Sequence, residues 1–172
     1  IFCSGSYEFA GDRKKSLEEQ YQEQRDTMDK KWPNAKYIAY FGSFTNTFDT
    51  LDNLKKRFEK VLCFDNVIGL SIGTRSDSIS SECFEYLSDL NKRTFLTVEL
   101  GLQSSFNKTL KYINRGHDID DFDECVRKLK ELNINVVVHI IDGLPGETED
   151  MMLDTVRHLN KLDINGIKIH NL

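Results

Sequence analysis

Residues 134–141 read Ile-Asn-Val-Val-Val-His-Ile-Ile, and residues 67–72 read Val-Ile-Gly-Leu-Ser-Ile. Both runs are nearly continuous in apolar and mostly β-branched residues, which is typical of parallel strands covered on both faces. Shorter apolar runs at 37–41, 95–100 and 166–170 predict three more strands. The sequence therefore predicts five strands that belong to a parallel sheet buried inside the protein.

Helical patterns separate these strands. Ser16 and Glu19 form a capping box at the start of the first helix, and Met152, Val156 and Leu159 are expected to face the sheet from the last one. Because a parallel neighbour needs a crossover of about a dozen residues or more, this alternation predicts parallel βα units. The five helical stretches are 16–31, the stretch from Thr50, 79–91, the stretch after Asp118 and the stretch from Thr148.

The length of the chain limits how far such a sheet can close. A closed eight-unit barrel takes about 250 residues, and this chain has 172. We therefore predict an α/β fold in the form of a partial barrel with parallel strands. We interpret the chain as an excerpt of a longer barrel that lacks at least its first strand. A small five-stranded α/β domain, complete in itself, is the alternative interpretation.

The charge and the apolar content of the chain bear on whether it binds nucleic acid or a membrane. Lys+Arg number 23 and Asp+Glu 28, so the formal net charge is −5 and gives no overall basic footprint for nucleic acid. No uncharged apolar run approaches the roughly 18–20 residues of a membrane-spanning helix, so no membrane partner is expected. The four cysteines, at positions 3, 63, 83 and 125, have no regular spacing. We expect reduced thiols and a cytoplasmic location.

Ligands in parallel α/β folds bind at the carboxyl ends of the strands. Gly42, Ser43 and Thr45 follow the first strand, where exposed amides and hydroxyls bind carboxylates or phosphates. Ordinary loop chemistry is the alternative for these residues. Arg75 follows the second strand and has the geometry to hold a carboxylate by two hydrogen bonds, unless it pairs internally with Asp77.

The third strand brings polar side chains to one face. Alternation places Glu99 and Gln103 on the same side of the strand, where a carboxylate and an amide need partners or a ligand. Arg115 and His117 follow a short helix, and they are further candidates for the site. The alternative for both is a solvated helix end with Gly116 as its cap.

The fourth strand carries His139 and is followed by Asp142. A lone histidine on an apolar strand is more often a satisfied core residue than a ligand, and this alternative stays open for His139. The turn that follows, residues 143–146, has the sequence Gly-Leu-Pro-Gly. Capping of the next helix is a sufficient reason for that turn.

The cysteines carry little information about a metal site by themselves. Cys63, Cys83 and Cys125 lie within or beside predicted elements among apolar neighbours, so we expect buried structural thiols. Cys3 lies in the segment that leads to the first helix, and its surroundings are those of any surface thiol.

Six motifs in order along the chain resemble the radical S-adenosylmethionine (SAM) superfamily. The similarity is to the branch of YhcC-like proteins, which is related to the elongator catalytic subunit and to oxygen-independent coproporphyrinogen oxidase. It covers essentially the whole chain. The motifs are Phe9-Ala10-Gly11-Asp12-Arg13, Tyr40-Phe41 with Thr45-Asn46-Thr47, Gly73-Thr74-Arg75 with Asp77, Glu99-Leu100-Gly101-Leu102-Gln103, Asn114-Arg115-Gly116-His117 and Gly143-Leu144-Pro145-Gly146-Glu147-Thr148.

The resemblance implies a partial (β/α)6 TIM-type barrel and two cofactors. In that family three cysteines hold a [4Fe-4S] cluster, and SAM chelates the fourth iron through its amino and carboxylate groups. Electron transfer to SAM releases methionine and a 5′-deoxyadenosyl radical, which abstracts a substrate hydrogen. Cys3 matches the last of the three cysteines, so residues 1–172 would be a core fragment without the first strand and without part of the cluster-binding loop.

The resemblance also assigns roles residue by residue. Residues 42–45 match the loop that contacts the methionyl amine, Gln103 matches a ribose-contacting amide, and Arg115 matches the arginine that binds the methionyl carboxylate. His139 takes a cofactor-facing strand position that is acidic in the coproporphyrinogen oxidase relatives, and Gly73 stands where those relatives have a glutamate. The expected cofactor-binding residues are Gly42, Ser43, Thr45, Thr74, Arg75, Glu99, Gln103, Arg115 and His139.

The resemblance implies a SAM-cleaving enzyme in the full-length parent, and an inactive fragment here because one of three cysteines is matched. Two alternatives are a non-catalytic module that binds SAM or another nucleotide, and an ordinary barrel enzyme with Glu99 and His139 as acid and base. Elongator-type relatives act on transfer RNA, so RNA is a candidate partner, although the net charge gives no support for it. An electron donor such as flavodoxin or ferredoxin is also implied. The sequence does not identify the substrate.

Overall fold

The computed structural model describes residues 14–172. Five parallel strands form one sheet in the order of the sequence, each hydrogen-bonded to the next. All five predicted strands are present, so the α/β prediction is confirmed. The strands are β1 Tyr37–Phe41, β2 Val67–Thr74, β3 Phe95–Gln103, β4 Asn135–Asp142 and β5 Gly166–Asn171.

Helices connect the strands as the alternation predicted. Ser16 caps the first helix in a capping box with Glu19. The helix expected from residue 79 begins at Ser81 instead, because the Ser80 hydroxyl accepts a hydrogen bond from the third helical amide. The helices are α1 Leu17–Asp29, α2 Leu51–Leu62, α3 Ser81–Asn91, α4 Asn107–Tyr112, α5 Ile119–Glu131 and α6 Glu149–Leu159, with a 3₁₀ turn at Ser76–Ser78.

The sheet curls into a half-barrel with a concave and a convex face. The ammonium of Lys168 on β5 lies 4.6 Å from the centre of the Tyr40 ring on β1, although these strands are the two ends of the sheet. This contact across the concave face confirms the partial-barrel prediction. We call the space enclosed by the concave face the lumen.

The two faces of the sheet differ in chemistry. Leu70, Val98 and Val138 point to the convex face, where they are fully buried under the helices. Val137 and His139 point to the lumen and are partly exposed. The expectation that β4 is covered on both faces is therefore wrong in this part of the chain, because the lumen side is polar and open.

The packing of the last helix also departs from the prediction. Leu159 is buried, but Val156 is 40% exposed and Met152 is partly exposed. Thr155 is buried in their place and bonds Ser105 on the loop after β3. The α6 helix therefore packs against the rest of the protein through one turn, and not through all three of the residues that were predicted to face the sheet. None of the helices in residues 14–172 is both long and apolar enough to cross a membrane.

Candidate functional site

The loop after β1 is fixed by an asparagine that sequence analysis had not assigned. The amide nitrogen of the Asn46 side chain donates to the carbonyls of Phe41 at 2.9 Å, Ser43 at 3.0 Å and Gly73 at 2.9 Å. Three carbonyls on one amide group hold this loop against the end of β2. Asn46 therefore positions Gly42, Ser43 and Thr45 at the carboxyl edge of the sheet.

Thr74 belongs to a buried hydrogen-bond chain beneath that edge. Its hydroxyl lies 2.5 Å from the hydroxyl of Thr47, which also bonds the carbonyl of Ser78 at 2.6 Å. Both threonines are buried. The Thr74 hydroxyl thus ties the first loop to the second.

Arg75 and Asp77 form the internal pair that the sequence left open. The guanidinium holds both carboxylate oxygens, with Nε to Oδ1 at 2.8 Å and Nη2 to Oδ2 at 2.5 Å. Burial opposes ionisation of Asp77, but the hydrogen bonds from Arg75 outweigh it and lower the pKa of this carboxyl. A bidentate pair of this kind is rigid.

Arg115 lies beside that pair with part of its hydrogen-bonding capacity unused. Its Nη2 donates to the carbonyl of Gly101, whereas its buried Nε has no partner among the described residues. Burial, followed by the charge of Arg75, lowers the pKa of Arg115 to about 10. A partly buried guanidinium with a buried, unpaired donor and a like charge beside it favours an anion.

A glycine makes room for this guanidinium on β3. A Cβ atom on Gly101 would lie 2.6 Å from Nη2 of Arg115 and 2.9 Å from the side-chain nitrogen of Gln103. The register between β3 and β4 shifts between Gly101 and Gln103, and Gln103 has a φ of 80°. Arg115 and Gln103 therefore end side by side over Gly101, and a larger residue there would have to displace both side-chain ends.

The segment that carries Arg115 is not a solvated helix end, so that alternative is wrong. Asn114, with φ 56°, is the first left-handed residue after α4, and Gly116, with φ 84°, lies two residues further on. Gly116 also meets Arg75, whose Nη2 would lie 2.6 Å from a Cβ there. His117 is buried, its Nδ1 lies 3.1 Å from the carbonyl of Asp118, and its Nε2 has no described partner. Burial lowers the pKa of His117.

A small second hydrophobic core packs against the segment that carries Arg115. The turn at 143–146 contributes Leu144 to this core, and Glu147 accepts a hydrogen bond from Ser104 on the loop after β3. The turn therefore braces the Arg115 segment in addition to leading into α6. The members of the small core are Leu110, Ile113, Ile141 and Leu144.

Glu99 is at the centre of a polar cluster on the lumen face. Its carboxylate accepts from the hydroxyl of Ser71 at 2.5 Å, from Nε2 of His139 at 2.6 Å and from Nζ of Lys168 at 2.6 Å. Burial opposes ionisation, but these three hydrogen bonds lower the pKa of Glu99 to about 2. Glu99 is therefore ionised at all physiological pH values.

Two residues of β5 complete this cluster, and sequence analysis missed both. Lys168 bonds Glu99 as described, and Nε2 of His170 lies 3.0 Å from Nδ1 of His139. The signal was present in the alternation of β5, because residues 168 and 170 share the face of the strand that pairs with His139. His139 is thus a satisfied histidine, but in a polar cluster rather than in the apolar core.

The cysteines divide between the core and the surface. Cys83 and Cys125 are buried, and burial raises their pKa values to about 11 and about 12. Cys63 is exposed, so the expectation of a buried thiol is wrong there, because α2 ends at Leu62 and releases the next side chain to solvent. Cys3 lies outside the described residues. Within 14–172, no three His, Cys, Asp or Glu side chains are grouped as a metal site.

The sequence of the chain matches a known protein family over most of its length. The Radical SAM superfamily matches residues 1–159. The uncharacterized protein YtqA of Bacillus subtilis is 47% identical over 99% of this chain and 54% of its own length. Protein YhcC of Escherichia coli is 30% identical over 99% of this chain and 55% of its own length. The chain thus spans about half the length of these relatives.

More distant matches include a tRNA-modifying enzyme and solved structures. A tRNA uridine(34) acetyltransferase of Methanocaldococcus infernus is 33% identical over 49% of this chain and 15% of its own length. The structure of Elp3 from the same archaeon has a TM-score of 0.75 at 21% identity, covering 89% of this chain and 41% of that one. Coproporphyrinogen III oxidase of E. coli, a radical SAM enzyme, has a TM-score of 0.62 at 20% identity, covering 77% and 31%. At these identities the two structures support the fold.

The cluster around Glu99 predicts how stability depends on pH. Because its pKa is about 2 in the folded state against 4.5 ordinarily, ionised Glu99 stabilises the fold by about 3 kcal/mol at neutral pH. This contribution is complete above about pH 5 and is lost as the pH falls toward 2. We expect Glu99→Gln to lower the free energy of unfolding by about that amount at pH 7, and by less than half of it near pH 3.

Urea unfolding of both proteins at several pH values measures this difference. Glu85→Gln, at an exposed carboxyl on α3, is the matched control and should follow the wild type throughout. A difference between wild type and Glu99→Gln that is constant from pH 7 to about pH 3 would contradict the assignment.

Proposed function

Because the chain belongs to the radical SAM superfamily, we propose that the carboxyl edge of its sheet binds SAM and that Arg115 holds the methionyl carboxylate. The buried and unpartnered Nε of Arg115 is the observation that carries this proposal. A carboxylate would satisfy that donor and balance the second positive charge beside Arg75. The site fits an anion by its donors rather than by resemblance alone.

The neighbouring residues fit the remainder of SAM. Gln103 lies next to Arg115 over Gly101, so its amide is placed for the ribose hydroxyls that the family assigns to it. Ser43 and Thr45 lie on the loop after β1, at the same edge of the sheet, and are assigned the methionyl amine together with Gly42. Thr74 has its hydroxyl engaged by Thr47, which supports a role in holding the loops.

Arg75 has the same kind of supporting role in this proposal. Both oxygens of Asp77 are bound to it, and Gly116 lies against its guanidinium. The Arg75–Asp77 pair therefore packs against the segment that carries Arg115, and this contact orients the Arg115 side chain. The direct contact with SAM that sequence analysis expected for Arg75 becomes an indirect one.

The cluster-binding residues are assigned by the family. A bound [4Fe-4S] cluster supplies the electron that cleaves SAM reductively, and Cys3 is the residue of this chain that matches one of its ligands. The buried and protonated Cys83 and Cys125 do not suit a thiolate site. What the described residues contribute is to bind SAM, to orient it and to exclude water from one side.

Binding of SAM to variants at position 115 tests the proposal. Arg115→Ala should lower the affinity for SAM in calorimetry at least tenfold, since a charge-assisted pair is worth about 1.5–3 kcal/mol. Arg127→Ala, at an exposed arginine of α5 paired with Glu124, is the matched control and should leave affinity unchanged. Equal affinities for all three proteins would remove Arg115 from the site.

A pair of glycine variants tests the same pocket without changing its charge. Gly101→Ala places a methyl group against Arg115 and Gln103, and it should weaken SAM binding as well. Gly166→Ala on β5 adds a methyl group whose nearest contact is 3.4 Å from Val137, so its binding should match that of the wild type.

The family also predicts that the 172-residue chain does not assemble a stable [4Fe-4S] cluster from iron and sulfide. It carries one residue that matches the three cluster cysteines, and Fe–S scaffolds need a complete ligand set. Anaerobic reconstitution should therefore give no stable visible absorption band. Absorption equivalent to about one cluster per chain would refute this expectation and would show that other residues of the chain supply ligands.

RNA is the substrate class that the relatives favour. One relative is named as acting on uridine 34 of tRNA, and we extend this to the present protein. With a net charge of −5, binding should be weak and steeply dependent on salt. Filter retention of tRNA by the SAM-loaded protein measures it at two salt concentrations. Retention that is absent at low salt, or unchanged by salt, would count against an RNA substrate.

A further inference from the structure

The polar cluster of the lumen continues as a chain of hydrogen bonds from the interior to the surface. Glu99 is 6% exposed at the inner end, His139 on β4 follows, and His170 on exposed β5 is the last member. The direction of each hydrogen bond in this chain follows from which groups are able to accept.

The inner bond fixes the proton on His139. The ionised carboxylate of Glu99 only accepts, so Nε2 of His139 must donate across the 2.6 Å separation. Lys168 donates to the same oxygen, Oε2, at 2.6 Å and already supplies the balancing positive charge. With its proton on Nε2, His139 offers the lone pair of Nδ1 to the next member of the chain.

The outer bond then fixes the proton on His170. Since Nδ1 of His139 accepts, Nε2 of His170 donates to it over 3.0 Å, between rings inclined by 24° with centres 5.1 Å apart. Burial lowers the pKa of His170, and the charge of Lys168 acts in the same direction, although Glu99 opposes the shift. A neutral His170 with its proton on Nε2 has a lone pair at Nδ1.

We propose that Nδ1 of His170 is a proton-accepting group of the lumen, and that it takes a hydrogen bond or a proton from an O–H or N–H group of a molecule bound there. Glu99 and His139 are positioning residues that fix its tautomer. The inference rests on the proposed function only in taking the bound molecule to extend from the carboxyl edge of the sheet into the lumen. The donor is a hydroxyl or amino group of a separate substrate or of SAM itself.

His170, and neither Glu99 nor His139, is the residue of this cluster that is able to act as a base. Glu99 is ionised and fully engaged by three donors, so it has no proton to give. Both ring nitrogens of His139 are engaged as well. Among the described residues, the free nitrogen at the end of this chain is Nδ1 of His170, so the basic group is one strand further out than the sequence suggested.

Nitrogen NMR tests the direction of the bonds without any added ligand. In protein with ¹⁵N-labelled histidine at about pH 8, where free imidazole is neutral, we expect coupling through the hydrogen bond from protonated Nε2 of His170 to unprotonated Nδ1 of His139. Glu99→Gln should abolish it, whereas His158→Phe, at a histidine bonded to Asp123, should preserve it. Coupling from a protonated Nδ1 of His139, or none in the wild type, would overturn the proposal.

Reaction with diethyl pyrocarbonate tests whether the lone pair is available. This reagent acylates unprotonated imidazole nitrogen, so His170 should react roughly tenfold faster than the doubly engaged His139, as mapped by peptide mass spectrometry. Equal rates at His170 and His139 would overturn the proposal. Protection of His170 by S-adenosylhomocysteine would assign the donor to the cofactor, and reaction at an unchanged rate would exclude the cofactor as the donor.

The two experiments separate this inference from the proposed function. Failure of Arg115→Ala to alter SAM binding leaves the tautomer and the reactivity of His170 as they are. A His170 that fails both measurements leaves the SAM site at the carboxyl edge intact.

Discussion

One buried carboxylate holds the concave face of the sheet together. Glu99 on β3 accepts hydrogen bonds from Ser71 on β2, His139 on β4 and Lys168 on β5, and the Lys168 ammonium also lies over the Tyr40 ring on β1. A single negative charge thereby links side chains from all five strands. Because an unpaired charge of this kind is costly to bury, the curvature that brings these groups together is tied to the ionisation of Glu99. The open polar face that results is what distinguishes this half-barrel from a sheet buried on both sides.

A second constraint acts at the carboxyl edge of the same strands, and it is steric. Gly101 leaves the space that Arg115 fills, and Gly116 leaves the space against which Arg75 lies. Asp77 holds Arg75 by both of its oxygens. Two glycines and one ion pair therefore determine where the Arg115 guanidinium points, although none of them needs to touch a ligand. A larger residue at Gly101 would displace the ends of the Arg115 and Gln103 side chains, whereas one at Gly116 would displace Arg75 and would also be strained by the φ of 84°.

The elements were predictable from the sequence because their signals are local. Strand runs and N-cap residues lie within a few positions of the structure they specify. The candidate site was predictable only in part, since the partners of Glu99 lie 28 to 69 residues away along the chain. Lys168 and His170 were missed because a short strand with a polar face resembles a surface strand until its neighbour is known. The role of Gly116 was misjudged for the same reason, because the Arg75 side chain that lies against it comes from another loop.

The charges of the two clusters differ in a way that separates their chemistry. At the carboxyl edge, Arg75 and Arg115 face the single carboxylate of Asp77, which leaves an excess positive charge and an unpaired donor. In the lumen, Lys168 balances Glu99, and the two histidines beside them form a chain of hydrogen bonds that starts at this carboxylate. An excess of positive charge binds anions, whereas an imidazole nitrogen at the open end of such a chain accepts protons. The same half-barrel therefore offers an anion-binding edge and a proton-accepting wall, each built from residues on the strands or on loops braced against them.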